Sequence, residues 1–204
     1  MNIPFDFIDF LGYEKRPFRA KFIPRVLLDK LDDYQYDVLN LENLLGKYRI
    51  VVLNKPATER YEEYWVYSGE YDSESNRIII TTCGNLSVGD TNVWCNFKFN
   101  LLKTIMHEMI HQYQYLKRDE QDILGDYEYH NHPDEIHAYA HCMYLELSMN
   151  NFMMTVKDLI NEPESSDTYM RYQGKESLPD LLKWVVRWQR KYENALLNHS
   201  NQIA

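Results

Sequence analysis

Residues 107–111 read His107, Glu108, Met109, Ile110, His111. Residues four apart share one face of a helix, so in helical conformation the two imidazoles converge and can grip one metal ion, for which zinc suits the donors and the spacing. Glu108 then lies near enough to take a proton from a water activated at the metal. Zinc with three protein ligands keeps a position open for that water and polarises a carbonyl, which is the chemistry of peptide hydrolysis. Six of the seven histidines, all but His199, lie between positions 107 and 141. Such crowding is unusual for surface histidines.

A third ligand is needed, and the segment 130–141 offers several. Glu135 stands in the first turn of a helix opened by Pro133, where an acid is also favoured by the helix dipole alone. His130 and His132 precede that helix and are alternatives. His137 and His141 are four apart and could form a second pair, but on a straight helix they point about 120–160° away from Glu135. They and Glu135 cannot all hold one ion. Peptide hydrolysis also needs a donor for the developing oxyanion, and Tyr139, one turn after Glu135, is the candidate carried forward, with Tyr127 and Tyr129 as alternatives among 17 tyrosines.

These residues require elements to position them. Leu102, Ile105, Met106, Met109, Ile110, Tyr113 and Leu116 recur at helical spacing through residues 99–117. Taking Leu102 as zero, they fall within an arc of roughly 300° through 80°, with His107 and His111 near 140° and 180°. The histidines are therefore expected on a face turned away from the core stripe. Upstream, Val26 to Leu45 reads as an amphipathic helix closed near Gly46. Residues 48–53, 63–71 and 77–82 are short, β-branched or aromatic, and read as three strands. DSESN between the last two signals a hairpin, and RIIITT is expected as an edge strand that could pair with an extended peptide. Downstream come a polar acidic loop, a helix from Pro133 to Met149, and a final helix from about Leu178 to Leu197. The aromatic run around residues 63–71 and the Trp184/Trp188 pair read as core packing.

With 204 residues, 45% hydrophobic, the chain can bury a proper core, and a single domain is expected, its core at about 24–150 with a helical addition at about 151–204. A net charge of −9 argues against nucleic acid as partner. Cys83, Cys95 and Cys142 cannot all pair and show no C-x-x-C spacing, which points to a reducing, cytoplasmic setting. No basic, apolar leader and no run of about 18 apolar residues is present, so neither export nor a membrane span is expected.

Helix, small sheet with hairpin, H-E-x-x-H helix, then loop and ligand-bearing helix resembles a minimal zincin metallopeptidase over residues 24–150. The resemblance implies an α+β fold, with a small twisted sheet packed on the H-E-x-x-H helix, a following ligand helix, a zinc cofactor and protein or peptide substrates. The metzincin subgroup requires glycine and histidine where this chain has Gln114 and Lys117. Gluzincins take a glutamate from a later helix, and Glu135, with the small Ala138 following, is similar to it. SprT-like proteases, which include enzymes acting on DNA-associated proteins, take a third histidine from a loop similar to His132-Pro133-Asp134-Glu135-Ile136, which here lacks the glycine. The gluzincin resemblance implies His107, His111 and Glu135 as ligands, the SprT-like one His132 or His130 in place of Glu135, and both imply Glu108 as base. The alternative from another class is a non-catalytic interaction protein on the same scaffold. Glu108 separates the two, because a purely structural zinc site needs no general base.

Overall fold

The computed structural model describes residues 45–46, 49–55, 65–83, 91–117, 128–150 and 154–203. Contacts group the chain into two compact units, residues 1–117 and 118–204. The architecture is α+β. Of the helix expected over residues 26–46, only Leu45 and Gly46 are described, and both are helical; the remainder lies outside the described residues.

In the first unit, β1 (Ile50–Lys55), β2 (Trp65–Asp72) and β3 (Arg77–Cys83) form a sheet of order β1-β3-β2. The β-branched run Ile78, Ile79, Ile80 suits a strand paired on both sides. β3 therefore takes the centre, parallel to β1 with Ile50 opposite Ile78, and antiparallel to β2 with Tyr71 opposite Ile78. This corrects the reading of RIIITT as an edge: among the described strands the edges are β1 and β2. Composition reported the strands but not their neighbours.

The expected hairpin joins β2 to β3. Asp72 Oδ1 accepts from the backbone N–H of Glu74 at 3.0 Å, and Asn76 takes a left-handed conformation, φ 49°, which asparagine tolerates. Gln112 donates to Asn76 Oδ1 at 2.7 Å, tying the hairpin to the following helix. One extra residue between Val66 and Ser68 bulges β2.

Helix α1 (Thr91–Lys117) packs on β2 and β3. It begins eight residues before the expected start at Phe99. Leu101, Leu102, Ile105, Met106, Met109 and Ile110 are buried with Ile78 and Ile80, and each such side chain contributes roughly 1.5–3 kcal/mol through burial.

The second unit holds α2 (Pro133–Asn150), α3 (Asp167–Tyr172) and α4 (Leu178–Ile203). α2 packs on α3 and α4, burying Ala138, Ala140, Met143, Tyr144, Leu145 and Leu147, with Leu181 and Val185 contributed by α4. Glu146, buried on α2, accepts from Ser166 Oγ at 2.5 Å, Thr168 Oγ1 at 2.9 Å and Thr168 N–H at 3.1 Å. These bonds satisfy the start of α3, where Ser166 caps the helix by accepting from Tyr169 N–H at 3.0 Å. α3 and the short 3-10 turns near it are too brief to leave a periodic signal. No helix among the described residues is long and apolar enough to cross a membrane.

Candidate metal centre

His107, Glu108 and His111 sit on α1, and their surroundings differ from the expected solvent-facing stripe. His107 is 7% exposed and Glu108 6%, while His111 is half-buried. Over Glu108 the cover is β2. A side chain at Gly69 in β2 would place Cβ 2.9 Å from both Cγ and Oε1 of Glu108 and into Thr104 Cγ2. Only glycine lets the strand lie this close, and its backbone walls the Glu108 carboxylate. An isolated glycine within a strand pattern was the available signal for this approach.

The histidine pair converges as the four-residue spacing requires. Nε2 of His107 and Nε2 of His111 are 3.0 Å apart, with rings at 73°. Two zinc–nitrogen bonds of about 2.0–2.1 Å at a tetrahedral angle separate their nitrogens by about 3.3 Å, so the pair fits one ion with little adjustment. Gln114 Oε1 lies 2.8 Å from His111 Nδ1. A carbonyl oxygen there calls for a proton on Nδ1, and that tautomer leaves the Nε2 lone pair for a metal. Gln114, noted in the sequence only as a departure from the metzincin pattern, thus has a place in the site. No pattern in the sequence marks it.

Glu135 sits in the first turn of α2 and is half-buried. Glu135 belongs to the second unit, His107 and His111 to the first. Two converged imidazole nitrogens are the donor chemistry of a borderline divalent ion.

His132 starts α2: its Nδ1 accepts from Asp134 N–H at 3.2 Å and its carbonyl from Ile136 N–H at 3.0 Å. His130 lies in a short 3-10 turn, Tyr129–Asn131, where Ser177 Oγ donates to its carbonyl at 2.9 Å. Its ring meets Tyr172 at 5.3 Å and Tyr129 at 5.2 Å. Desolvation, then the positive charges of Lys175 and Arg171, hold the His130 imidazole below the ordinary histidine value. His137 and His141 pack on α4: His137 stacks on Trp188 at 5.8 Å and touches Trp184 at 4.5 Å, and His141, fully buried, meets Trp188 edge-on at 5.0 Å. The tryptophan pair serves packing, as its helical spacing indicates.

Tyr139 is placed among aromatic and basic groups of the second unit. Arg171 Nη1 donates to its hydroxyl oxygen at 2.7 Å and the guanidinium carbon lies 5.2 Å from its ring centre. Its ring meets that of Tyr129 edge-on, with centres 6.4 Å apart. Desolvation, then the neighbouring Tyr139 and the Glu135 charge, raises the Tyr129 phenol well above its ordinary value. Tyr127 lies outside the described residues, and Cys142 is a free, buried thiol.

Compared with family models, curated proteins and solved structures, the chain matches none.

Proposed function

We propose that this chain is a zinc-dependent peptidase of zincin type, acting on protein or peptide substrates in the cytoplasm. The observation that carries the reading is the pair His107 and His111, whose Nε2 atoms converge to 3.0 Å, together with a buried carboxylate, Glu108, adjacent in sequence to the first histidine. Glu135, in the first turn of a later helix, is taken as the third ligand of a gluzincin-like set.

His107, His111 and Glu135 would hold the ion, which when bound supplies Lewis acidity toward a carbonyl and toward water. Glu108 takes a proton from the attacking water and delivers it to the amide nitrogen as the C–N bond breaks. The wall at Gly69 limits where the Glu108 carboxylate can turn, so the base is held in place before substrate arrives. Gln114 fixes the orientation of His111. A base beside the ligands favours a catalytic over a purely structural site.

The test is hydrolysis of a mixed peptide library followed by mass spectrometry, with parent, Glu108→Gln and chelated protein compared. New amino termini formed by the zinc-loaded parent alone are the expected result. Identical spectra from all three would refute the proposal.

A further inference from the structure

We infer that Asn76 and Gln112 are positioning residues: together they latch β2 onto α1, and through Gly69 they hold the Glu108 carboxylate in place. The inference rests on the proposed role of Glu108 as base.

Glu108 does not meet β2 in isolation. Thr104, Glu108 and Gln112 are spaced four apart on α1, so they form one stripe along the helix. All three face the hairpin of β2 and β3. Thr104 and Glu108 lie against Gly69, and Gln112 Nε2 donates to Asn76 Oδ1 at 2.7 Å. The same oxygen accepts from the Tyr71 hydroxyl at 3.1 Å, so both of its lone pairs are used. Tyr71, two residues beyond Gly69 in β2, also meets Tyr115 of α1 edge-on, with ring centres 6.0 Å apart. The hairpin is thus tied to α1 at its turn, whereas Gly69, in the middle of β2, offers no side chain to hold it.

Asn76 meets two requirements at once. Its backbone is left-handed, φ 49°, a conformation that asparagine and aspartate tolerate better than most residues with a side chain. Its side chain supplies the acceptor oxygen. Asp72 Oδ1 orders the turn just ahead of it, accepting from the backbone N–H groups of Glu74 at 3.0 Å and Ser75 at 3.3 Å. The oxygen that receives Gln112 is therefore aimed from an ordered backbone. A strand as close to Glu108 as β2 is at Gly69 lets the carboxylate move only as far as the strand itself moves. Releasing the latch frees the turn end of β2, and misplacing a catalytic group by about 1 Å costs on the order of 10²-fold in rate.

The experiment measures kcat and KM on a peptide cleaved by the parent, well below each variant's unfolding midpoint, with zinc binding by chelator competition and amide hydrogen exchange in β2 of the metal-free chain. Asn76→Gly keeps the left-handed backbone and removes the acceptor, and Gln112→Met removes the donor at similar length. Each is expected to lower kcat by about 10–10²-fold and to speed exchange in β2, with KM and zinc binding parental. The double variant should be no worse than Asn76→Gly, since the two changes break the same bond. Asn76→Asp, which keeps both the backbone tolerance and the acceptor, should recover the parental kcat and exchange. A bond that serves stability alone would lower the unfolding midpoint and leave kcat of the folded chain untouched. Parental kcat in both Asn76→Gly and Gln112→Met would therefore overturn the positioning role, as would loss of kcat with parental exchange in β2. Parental kcat in Glu108→Gln, or a parent that cleaves no peptide, instead fails the base assignment and takes this inference with it. An Asn76→Gly chain that does not fold leaves Gln112→Met to decide, through the same measurements.

Discussion

Gly69→Ala probes the base without touching a ligand. The added methyl would stand 2.9 Å from Cγ and Oε1 of Glu108 and overlap Thr104 Cγ2. Carbon contacts settle at about 3.5–4.0 Å, so strand and helix must part, or Glu108 must shift, by about 0.6–1 Å. Overpacking of this kind costs about 1–3 kcal/mol of stability. Misplacing a catalytic group by about 1 Å costs on the order of 10²-fold in rate. The atoms nearest the methyl belong to Thr104 and Glu108, not to His107 or His111, so zinc affinity should stay within about twofold of the parent. The assay is kcat and KM on a peptide cleaved by the parent, alongside zinc titration and thermal unfolding. Thr104→Ser removes the nearer obstacle, and the double variant should regain part of the stability while kcat stays low, because the contacts with Glu108 remain. Parental kcat in Gly69→Ala would refute the claim that β2 sets the position of the base, and loss of zinc with activity would refute the separation of base from ligands.

The other predictions concern single side chains. Glu108→Gln should keep zinc and fold yet lose about 10²–10⁴-fold in kcat, because the amide cannot accept the proton; peptide hydrolysis with parallel metal analysis checks it. Gln114→Ala should weaken zinc retention by up to about 10–100-fold, read by chelator competition, because His111 Nδ1 loses the acceptor that sets its tautomer. In the metal-free protein His130 should titrate below the ordinary histidine value, and Lys175→Met should move its proton resonance midpoint upward by removing a neighbouring positive charge. Because the folded-state value is depressed, protons bind the unfolded chain more readily, so His130 subtracts stability as pH falls through about 6.5. Replacing His130 by Gln should flatten that part of the unfolding profile.

Helix α1 was legible because two independent signals coincided there, the apolar period through Leu102, Ile105, Met109 and Ile110 and the spacing of His107 and His111. What the period could not convey was burial of the opposite side. It treats a helix as having one covered face, whereas β2 covers a second, over Glu108, through the absence of a side chain at Gly69. The strands were legible from their β-branched content, and their order was not, since Ile78 to Ile80 reads alike at a centre and at an edge. Glu135 was one candidate among several because helix-start acids are common for dipole reasons alone. Gln114 and Arg171 were silent as site residues. Their significance lies in what they touch, and for Arg171 that partner, Tyr139, is 32 residues away.

The most direct test of the metal centre is the X-ray absorption spectrum of the purified, zinc-loaded protein at the zinc edge. Two imidazole nitrogens at about 2.0–2.1 Å, accompanied only by oxygen donors, are expected from His107, His111 and Glu135, and the imidazole contribution should fall by half in His111→Ala. Sulfur at about 2.3 Å, or a spectrum without imidazole scattering, would contradict the account.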